Sequence, residues 1–333
     1  MDTAIPSLHE AYAGLFRIGA AVSTDTLRRE GPFIAGQYNS LTAENQMKFE
    51  EIQPEEGRYA FEAADAIVEF AQRGGMAMRG HTLVWHNQTP DWVFRAADGG
   101  DASREEVLRR LEDHAHAVMG RYRGRIGAWD VVNEAVEDEG DGYLRPTKWL
   151  ERIGEDYLER AFRIAHEADP DARLFYNDYN ETDPVKRVKI HRLVRSLLEA
   201  GAPVHGIGMQ GHWNLYGPPI DEIKEAIELY ASLGVRLHIT ELDVSAFRFE
   251  DRRTDLLRPT PEMEERLTER YEEIFKLFRE YRSAIDSVTF WGAADTRTWL
   301  DGFPVRGRLN WPLPFDRKLR PKPAFWRMLE AAR

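Results

Sequence analysis

Residues 219–244 read PIDEIKEAIELYASLGVRLHITELDV and combine one helical pattern with one strand pattern. Apolar side chains at Ile220, Ile223, Ile227 and Tyr230 are spaced by three and four residues, which is typical of the buried face of an α-helix. Acidic residues occupy the first turn, and a glycine stands where a helix C-cap belongs. The short apolar and β-branched run that follows predicts a buried strand.

The same alternation of strand and helix repeats along the rest of the chain. Stretches of helical periodicity separate most of the strand-like runs from one another. The predicted strands are Arg17–Val22, Ile34–Leu41, Met76–Trp85, Ile126–Glu134, Arg173–Asn177, Val204–His212, Val235–Val244 and Ser287–Ala293. The other predicted helices cover residues 62–74, 103–120, 148–168, 184–200 and 261–282.

About eight strand–helix units favour an α/β fold, and most economically a closed (β/α)8 TIM barrel. A doubly wound sheet that binds a nucleotide is disfavoured, because residues Gly14–Gly19 lack the spacing of a phosphate-binding glycine turn. Neither a linker nor a low-complexity tract divides the chain. We therefore expect a single catalytic domain over residues 1–333.

The composition excludes several kinds of chemistry and partner. The 333 residues include no cysteine, which excludes disulfides, thiolate nucleophiles and cysteine-bound metal. A formal net charge of −12 disfavours nucleic acid and acidic membranes as partners, whereas a neutral polysaccharide is indifferent to it. No basic patch leads into an apolar run at the start, and no stretch of about 18 apolar residues occurs. We expect a cytoplasmic protein, the alternative being a secreted protein whose signal peptide was replaced by Met1.

Two glutamates end predicted strands, Glu134 the fourth and Glu241 the seventh. In such barrels, reactive groups lie at the carboxyl ends of the strands. One buried glutamate there is more often a paired structural residue. Two of them, among Asn, Gln, His and Trp side chains, match the carboxyl pair that cleaves glycosidic bonds. Tryptophans supply flat apolar faces for sugar rings, and the amides and imidazoles supply partners for hydroxyl groups.

Four stretches carry a resemblance to one family, namely Gly80–His86, Trp129–Ala135, Gly208–His212 and Ile239–Asp243. They occur in barrel order, and the chain is similar over essentially its whole length to the glycoside hydrolase family 10 xylanases. Residues 251–256 and 290–295 resemble most the single-domain intracellular members, which lack a signal peptide. The resemblance implies an endo-1,4-β-xylanase that hydrolyses xylan and short xylo-oligosaccharides by a retaining double displacement, without a cofactor or a metal.

The same resemblance implies roles for five residues near the bond that is cut. Glu134 is the expected acid/base, and Glu241 is the expected nucleophile. His212 is expected to hydrogen-bond the nucleophile, with Asp243 supporting that histidine. Asn133 would hold the 2-hydroxyl group of the sugar being cleaved.

Further residues are implied to bind the substrate. Gln210 is expected beside the catalytic centre, and Tyr179 and Asn180 on the leaving-group side. The residues expected to bind sugars on the glycone side are Glu44, Asn45, Lys48, His81, Trp85, Gln88, Trp291 and Trp299.

Some neighbouring residues are predicted to be structural. Trp129 and Trp213 are expected in the core, and Asp130 is expected to be structural or at most to act behind the site. Adjacent residues on a regular strand face opposite ways. Asn133 and Glu134 can therefore both face the pocket only if the strand twists or bulges there.

Four other functions stay open from the residues alone. A β-1,4-glucanase or a β-xylosidase-like enzyme would use the same carboxyl pair, because xylose differs from glucose by one missing hydroxymethyl group. A sugar-binding barrel without activity would keep the aromatic residues, although the presence of both glutamates argues against it. A metal-dependent sugar isomerase would use Glu44, His81, His86 and His212, but the histidines lack a metal-ligand spacing such as H-E-x-x-H.

Overall fold

The computed structural model describes residues 5–138, 140 and 142–333. In these residues the strands are β1 (Arg17–Val22), β2 (Ser40–Ala43), β3 (Ala77–Val84), β4 (Ala128–Asn133), β5 (Arg173–Asp178), β6 (Gly206–Met209), β7 (His212–Asn214), β8 (Arg236–Ser245) and β9 (Ile285–Phe290). The α-helices are α1 (Leu8–Ala11), α2 (Thr24–Gln37), α3 (Phe49–Ile52), α4 (Glu62–Arg73), α5 (Arg104–Tyr122), α6 (Lys148–Ile153), α7 (Tyr157–Ala168), α8 (Pro184–Glu199), α9 (Ile220–Ala231), α10 (Pro261–Glu280) and α11 (Pro323–Ala331). Short 3-10 helices occupy Asp91–Phe94 and Trp299–Asp301.

Eight of the strands form a closed parallel barrel. Neighbouring strands pair in chain order from β1 to β6, β6 pairs with β8, and β9 closes the ring against β1. The remaining strand, β7, pairs in parallel with the carboxyl-terminal half of β8, where His212 lies opposite Asp243. Helices lie between the barrel strands. The predicted (β/α)8 barrel in a single domain is thus confirmed.

Helix α9 shows how the local sequence produces the barrel wall. Ile223, Ile227 and Tyr230 are fully buried, as the spacing of three and four residues predicts. Acidic residues in its first turn stabilise the helix, because their negative charges interact favourably with the positive end of the helix dipole. Burying each large apolar side chain contributes about 1.5–3 kcal/mol. None of the helices in the described ranges is both long and apolar enough to span a membrane.

The second predicted strand was placed too early in the chain. It was predicted to begin at Ile34, but residues up to Gln37 belong to α2, and β2 is Ser40–Ala43. The helix is stabilised by Ser23, whose hydroxyl accepts a hydrogen bond from the amide of Thr26 at 3.1 Å. Ile34 is buried on the helix, as it would also be in a strand. A short apolar run does not distinguish the two structures by itself.

Two other predicted elements are each divided in two. The sixth strand, predicted over Val204–His212, breaks after β6 at Gly211, whose φ is +77°. The helix predicted over 148–168 breaks at Gly154, whose φ is +100°, into α6 and α7. Both glycines adopt a backbone conformation that other residues rarely take. The periodicity of the flanking residues does not reveal such a break.

The barrel interior contains buried charges behind the site. Arg79 of β3 forms a bidentate ion pair with Asp130 of β4, and both side chains are buried. Oδ2 of Asp130 also lies 2.9 Å from Nδ1 of His81. Asp130 therefore supports its neighbours from inside the barrel, as expected. Trp129 and Trp213 are buried, as predicted for core residues.

Candidate active site

Glu134 directly follows β4 and departs from regular strand geometry. Its φ is +59°, a left-handed conformation that is uncommon for residues other than glycine and often marks a functional site. The pairing of β4 with β5 also shifts register between Asp130 and Val132. As a result Asn133 and Glu134 can face the pocket together, and Nδ2 of Asn133 donates to Oε1 of Glu134 at 3.3 Å.

The carboxyl group of Glu134 is buried and accepts hydrogen bonds from two further side chains. Nε2 of Gln210 donates to its Oε1 at 3.0 Å, and the indole nitrogen of Trp85 donates to its Oε2 at 2.7 Å. Burial raises the pKa of Glu134, the hydrogen bond from Gln210 opposes this, and the charges of Asp178 and Glu241 raise it further. The net result is a raised pKa, so this carboxyl group keeps its proton to a higher pH than an exposed glutamate does.

The surroundings of Glu241, on β8, lower the pKa of its carboxyl group instead of raising it. Nδ2 of Asn177 donates to its Oε1 at 3.0 Å, and Nε2 of His212 lies 3.1 Å from its Oε2. Burial alone would raise the pKa of Glu241. The hydrogen bond from His212, the electrostatic contribution of His81 and the charge of Lys48 together outweigh burial and lower the pKa of Glu241 to about 2. Glu241 is therefore ionised over the physiological pH range.

His212 lies between two carboxylates. Its Nε2 faces Glu241, and its Nδ1 lies 3.1 Å from Oδ1 of Asp243. Burial favours the neutral imidazole, but Asp243 and Glu241 outweigh it and raise the pKa of His212 to about 10. The ring is therefore an imidazolium with an N–H on each nitrogen. Asp243, which the family resemblance expects to support this histidine, thus contacts its second ring nitrogen.

Three amide side chains connect the two glutamates. Nε2 of Gln210 contacts Oε1 of Glu134 at 3.0 Å and Oδ1 of Asn133 at 3.2 Å. Nδ2 of Asn177 donates to the same Oδ1 of Asn133 at 2.9 Å and to Oε1 of Glu241 at 3.0 Å. The two carboxyl groups thus belong to one buried hydrogen-bond network, which fixes their side chains relative to each other.

One wall of the pocket is built around Lys48. Its ammonium group donates to Oδ1 of Asn45 at 2.9 Å and to Oε1 of Gln88 at 2.8 Å. The same group lies 4.8 Å from the centre of the Trp85 ring. The structure therefore brings these four predicted residues together, with polar groups beside an aromatic face.

A second group of predicted residues surrounds the histidines. The ring centre of Trp291 lies 5.6 Å from that of His81 and 6.2 Å from that of His212, and the ring centre of Trp299 lies 4.9 Å from that of His212. Glu44 follows β2 and is partly exposed. Its carboxylate lies 3.9 Å from an arginine guanidinium in the loop after β9.

Tyr179 and Asn180 follow β5, on another side of the site. Asn180 lines a cavity of about 460 Å³ that also reaches His212. The hydroxyl of Tyr179 bonds to the carboxylate of Asp138, and it accepts from Nη2 of Arg145 at 2.8 Å. Its hydroxyl is thus already engaged by the protein.

Several residues that hold the site were missed from the sequence. Asn177 bonds Glu241 directly, and its place at the end of a predicted strand was a signal that could have identified it. Lys186 is buried with its ammonium 2.9 Å from Oδ1 of Asp178, 2.5 Å from Oδ1 of Asp138, and 3.8 Å from the ring centre of Tyr179. A lysine within a helical pattern carries no comparable signal.

The residues considered for a metal site are engaged in other contacts. In the described residues, the His and carboxylate side chains that lie close enough to share an ion are Glu112, His116 and Glu167, which are exposed on α5 and α7. Nε2 of His86 lies 4.0 Å from Oε2 of Glu134, and burial lowers the pKa of His86 to about 4. Of the histidines near the glutamates, His212 lies between Glu241 and Asp243, and His86 is held in its neutral form.

Comparison with known proteins identifies the family of the chain. The sequence profile described as "Glycosyl hydrolase family 10" matches residues 7–331. The chain belongs to glycosyl hydrolase family 10. This membership rests on the match over nearly the whole chain and on relatives of high identity.

Two relatives of this family 10 chain match it from end to end. Endo-1,4-beta-xylanase B of Paenibacillus barcinonensis is 66% identical over 329 residues, which cover 99% of each chain. An endo-1,4-beta-xylanase of Geobacillus stearothermophilus is 57% identical over 331 residues, again 99% of each chain.

Solved structures of family 10 proteins have the same fold as this chain. The crystal structure of xylanase XynB from Paenibacillus barcinonensis, complexed with a conduramine derivative, superposes with a TM-score of 0.97 at 66% identity, covering 98% of this chain and 99% of that chain. A mutant protein in complex with xylotriose superposes with a TM-score of 0.96 at 51% identity, covering 98% of this chain and 100% of that chain.

Proposed function

We propose that this family 10 chain is an endo-1,4-β-xylanase that cleaves xylan and xylo-oligosaccharides with retention of anomeric configuration. The observation that carries the proposal is a pair of buried carboxyl groups in one hydrogen-bond network, with the pKa of Glu134 raised and that of Glu241 lowered. Retaining hydrolysis needs a carboxylic acid that protonates the leaving oxygen and a carboxylate that attacks the anomeric carbon. Glu134 and Glu241 meet these two requirements.

In the first step, a carboxylate oxygen of Glu241 forms a bond to the anomeric carbon while the glycosidic C–O bond breaks. Glu134 gives its proton to the departing oxygen, so the leaving sugar departs as an alcohol. Asn177 and His212 hold the carboxylate of Glu241, and Trp85 holds the acid, so both side chains are oriented before the substrate binds.

In the second step, water attacks the anomeric carbon and the ester bond to Glu241 breaks. Glu134, now a carboxylate, takes a proton from that water and returns to its starting form. The charge of Glu241 is one cause of the raised pKa of Glu134. Esterification removes that charge, so the pKa of Glu134 falls in the intermediate, where the residue must act as a base.

The pocket walls support a sugar chain as the substrate. Lys48, Asn45 and Gln88 offer polar groups beside the face of Trp85, as hydroxylated rings require. The relatives of highest identity described above are named endo-1,4-beta-xylanases, and one similar structure contains xylotriose. These names favour xylose over glucose units, and they do not support the β-1,4-glucanase and β-xylosidase-like alternatives.

A product time course tests the proposed function. We expect soluble xylan and xylo-oligosaccharides to give a mixture of short products at early times, and cellulose to give little product under the same conditions. An endo-acting enzyme cuts within the chain, so intermediate oligosaccharides should precede xylose. Release of xylose alone from the outset, or faster hydrolysis of cellulose, would contradict the proposal.

A further inference from the structure

Glu181 is a buried carboxyl group that the proposed mechanism does not use. It lies in the loop between β5 and α8 and is only 1% exposed. Its Oε1 accepts two hydrogen bonds, from the backbone amide of Gly211 at 3.2 Å and from the indole nitrogen of Trp213 at 3.1 Å. Its backbone carbonyl accepts a 2.7 Å bond from the hydroxyl of Tyr230, which ties the loop to α9.

The two donors to this oxygen flank His212 in the chain. Gly211 has a φ of +77°, and a Cβ there would lie 3.2 Å from a methyl group of Ile239, so this segment is already closely packed. His212 in turn has its Nε2 3.1 Å from Oε2 of Glu241. One oxygen of Glu181 therefore holds the chain on both sides of the histidine that bonds the nucleophile.

We propose that Glu181 is a positioning residue, which holds His212 at hydrogen-bonding distance from Glu241 by anchoring Gly211 and Trp213. The proposal rests on the proposed function, because it takes Glu241 as the nucleophile. Without this acceptor, two buried N–H groups would lose their partner, and the segment would move to pair them elsewhere. Displacing a catalytic group by about 1 Å can reduce the rate by roughly 100-fold.

The proposed role needs an oxygen acceptor and does not need a negative charge. Burial raises the pKa of Glu181 to about 7, while its own backbone amide, the charge of His212, the indole of Trp213 and the charge of Lys186 oppose this rise. The neutral carboxyl form still offers an oxygen to both donors. A glutamine has the same shape and the same acceptor, whereas a leucine of similar size has none.

The test compares Glu181→Leu with Glu181→Gln. We expect Glu181→Leu to lower kcat on xylo-oligosaccharides about 10- to 100-fold and to leave KM within about twofold, because sugar binding is not touched. Glu181→Gln should restore kcat to within about threefold of the unmodified protein. A general loss of stability would not produce this split between kcat and KM, nor its rescue by the amide.

A matched control lies at the opposite end of the barrel. Asp169 is also a buried carboxylate that accepts a bond from a backbone amide, that of Asp171, in the turn before β5. Asp169→Leu should lower Tm while kcat stays unchanged. If Glu181→Leu does not fold, Trp213→Phe serves instead, because it keeps an aromatic ring and removes one of the two donors. We expect it to lower kcat severalfold at an unchanged KM.

Three results would overturn the proposal. They are an unchanged kcat in folded Glu181→Leu, an unchanged kcat in Trp213→Phe, or a loss in Glu181→Gln as large as that in Glu181→Leu. The last result would mean that charge rather than an acceptor oxygen is needed. An unmodified protein without xylanase activity would contradict the proposed function instead, so the two failures are distinguishable.

Discussion

The indole nitrogen of Trp299 donates a 2.7 Å hydrogen bond to Oδ2 of Asp243. The other oxygen of Asp243 lies 3.1 Å from Nδ1 of His212, whose Nε2 faces Glu241. A residue expected to contact the sugar is thus connected to the proposed nucleophile through a carboxylate and an imidazolium. Trp299 therefore has two separable roles, one for its ring face and one for its N–H group.

Replacing Trp299 with phenylalanine should separate these roles. The variant keeps an aromatic face but removes a hydrogen bond to a charged group, which typically contributes about 1.5–3 kcal/mol. We expect kcat to fall about tenfold or more, with a smaller change in KM. Steady-state kinetics on xylo-oligosaccharides measure both. Trp326→Phe is the matched control, since Trp326 is exposed on α11 and should leave both constants unchanged. A wild-type kcat in Trp299→Phe would contradict the second role.

The two glutamates should respond differently to removal. Glu241→Ala should abolish turnover of every substrate, because no covalent intermediate can form. Glu134→Ala should retain much of the first step on an aryl xyloside with an activated phenol, because that leaving group needs no proton. Added azide should then rescue the second step and yield a β-xylosyl azide. Burst kinetics and product analysis measure these effects.

The control for these variants is Glu112→Gln, which changes an exposed glutamate on α5 and should leave activity unchanged. If Glu134→Ala and Glu241→Ala respond alike to leaving group and azide, the roles of acid and nucleophile are assigned wrongly. A rescued product with the α configuration would contradict them as well, because azide should attack from the face that water uses.

The stereochemistry of the product follows from the covalent step. If Glu241 is the nucleophile, two inversions occur, and the sugar should be released first as the β-anomer. Proton NMR during early hydrolysis, before mutarotation, measures this. Initial accumulation of the α-anomer would instead indicate an inverting enzyme, in which the second carboxylate activates water.

The pH profile should report the raised pKa of Glu134. Glu134 must be protonated to act as the acid, so kcat/KM should fall as the pH rises through the pKa of Glu134. Glu241 must be ionised to act as the nucleophile, and because its pKa is about 2, its protonation limits activity only in strong acid. Gln210 donates to Glu134 and thereby lowers its pKa. In Gln210→Leu the alkaline limb should therefore move to higher pH, whatever happens to the maximal rate. A limb that moves to lower pH would show that Gln210 does not act on the acid. Because the charges of Glu134 and Glu241 interact, the pKa read from the alkaline limb describes the titration of both groups together.

The sequence by itself determined the barrel and the places where its chemistry lies. Strand and helix periodicity are local properties, and their repetition leaves a closed parallel barrel as the economical fold. In such a fold the strands converge at their carboxyl ends, so Glu134 and Glu241 could be placed at one site although more than 100 residues separate them. The roles of Lys48 and Trp85 in sugar binding were implied by the family resemblance, and the structure shows that the two side chains are in contact.

Only the tertiary structure decided how these groups are protonated and held. The positive φ of Glu134, the contact of Asn177 with Glu241, and the anchoring of the His212 segment by Glu181 depend on the register between neighbouring strands and on loops that cross between them. The spacing of apolar residues along a helix or strand does not contain this information. It shows which face of the element is buried, but not which residues of other elements pack against that face. The opposite pKa shifts of the two glutamates arise from those contacts and from burial, which exist only once the barrel has closed.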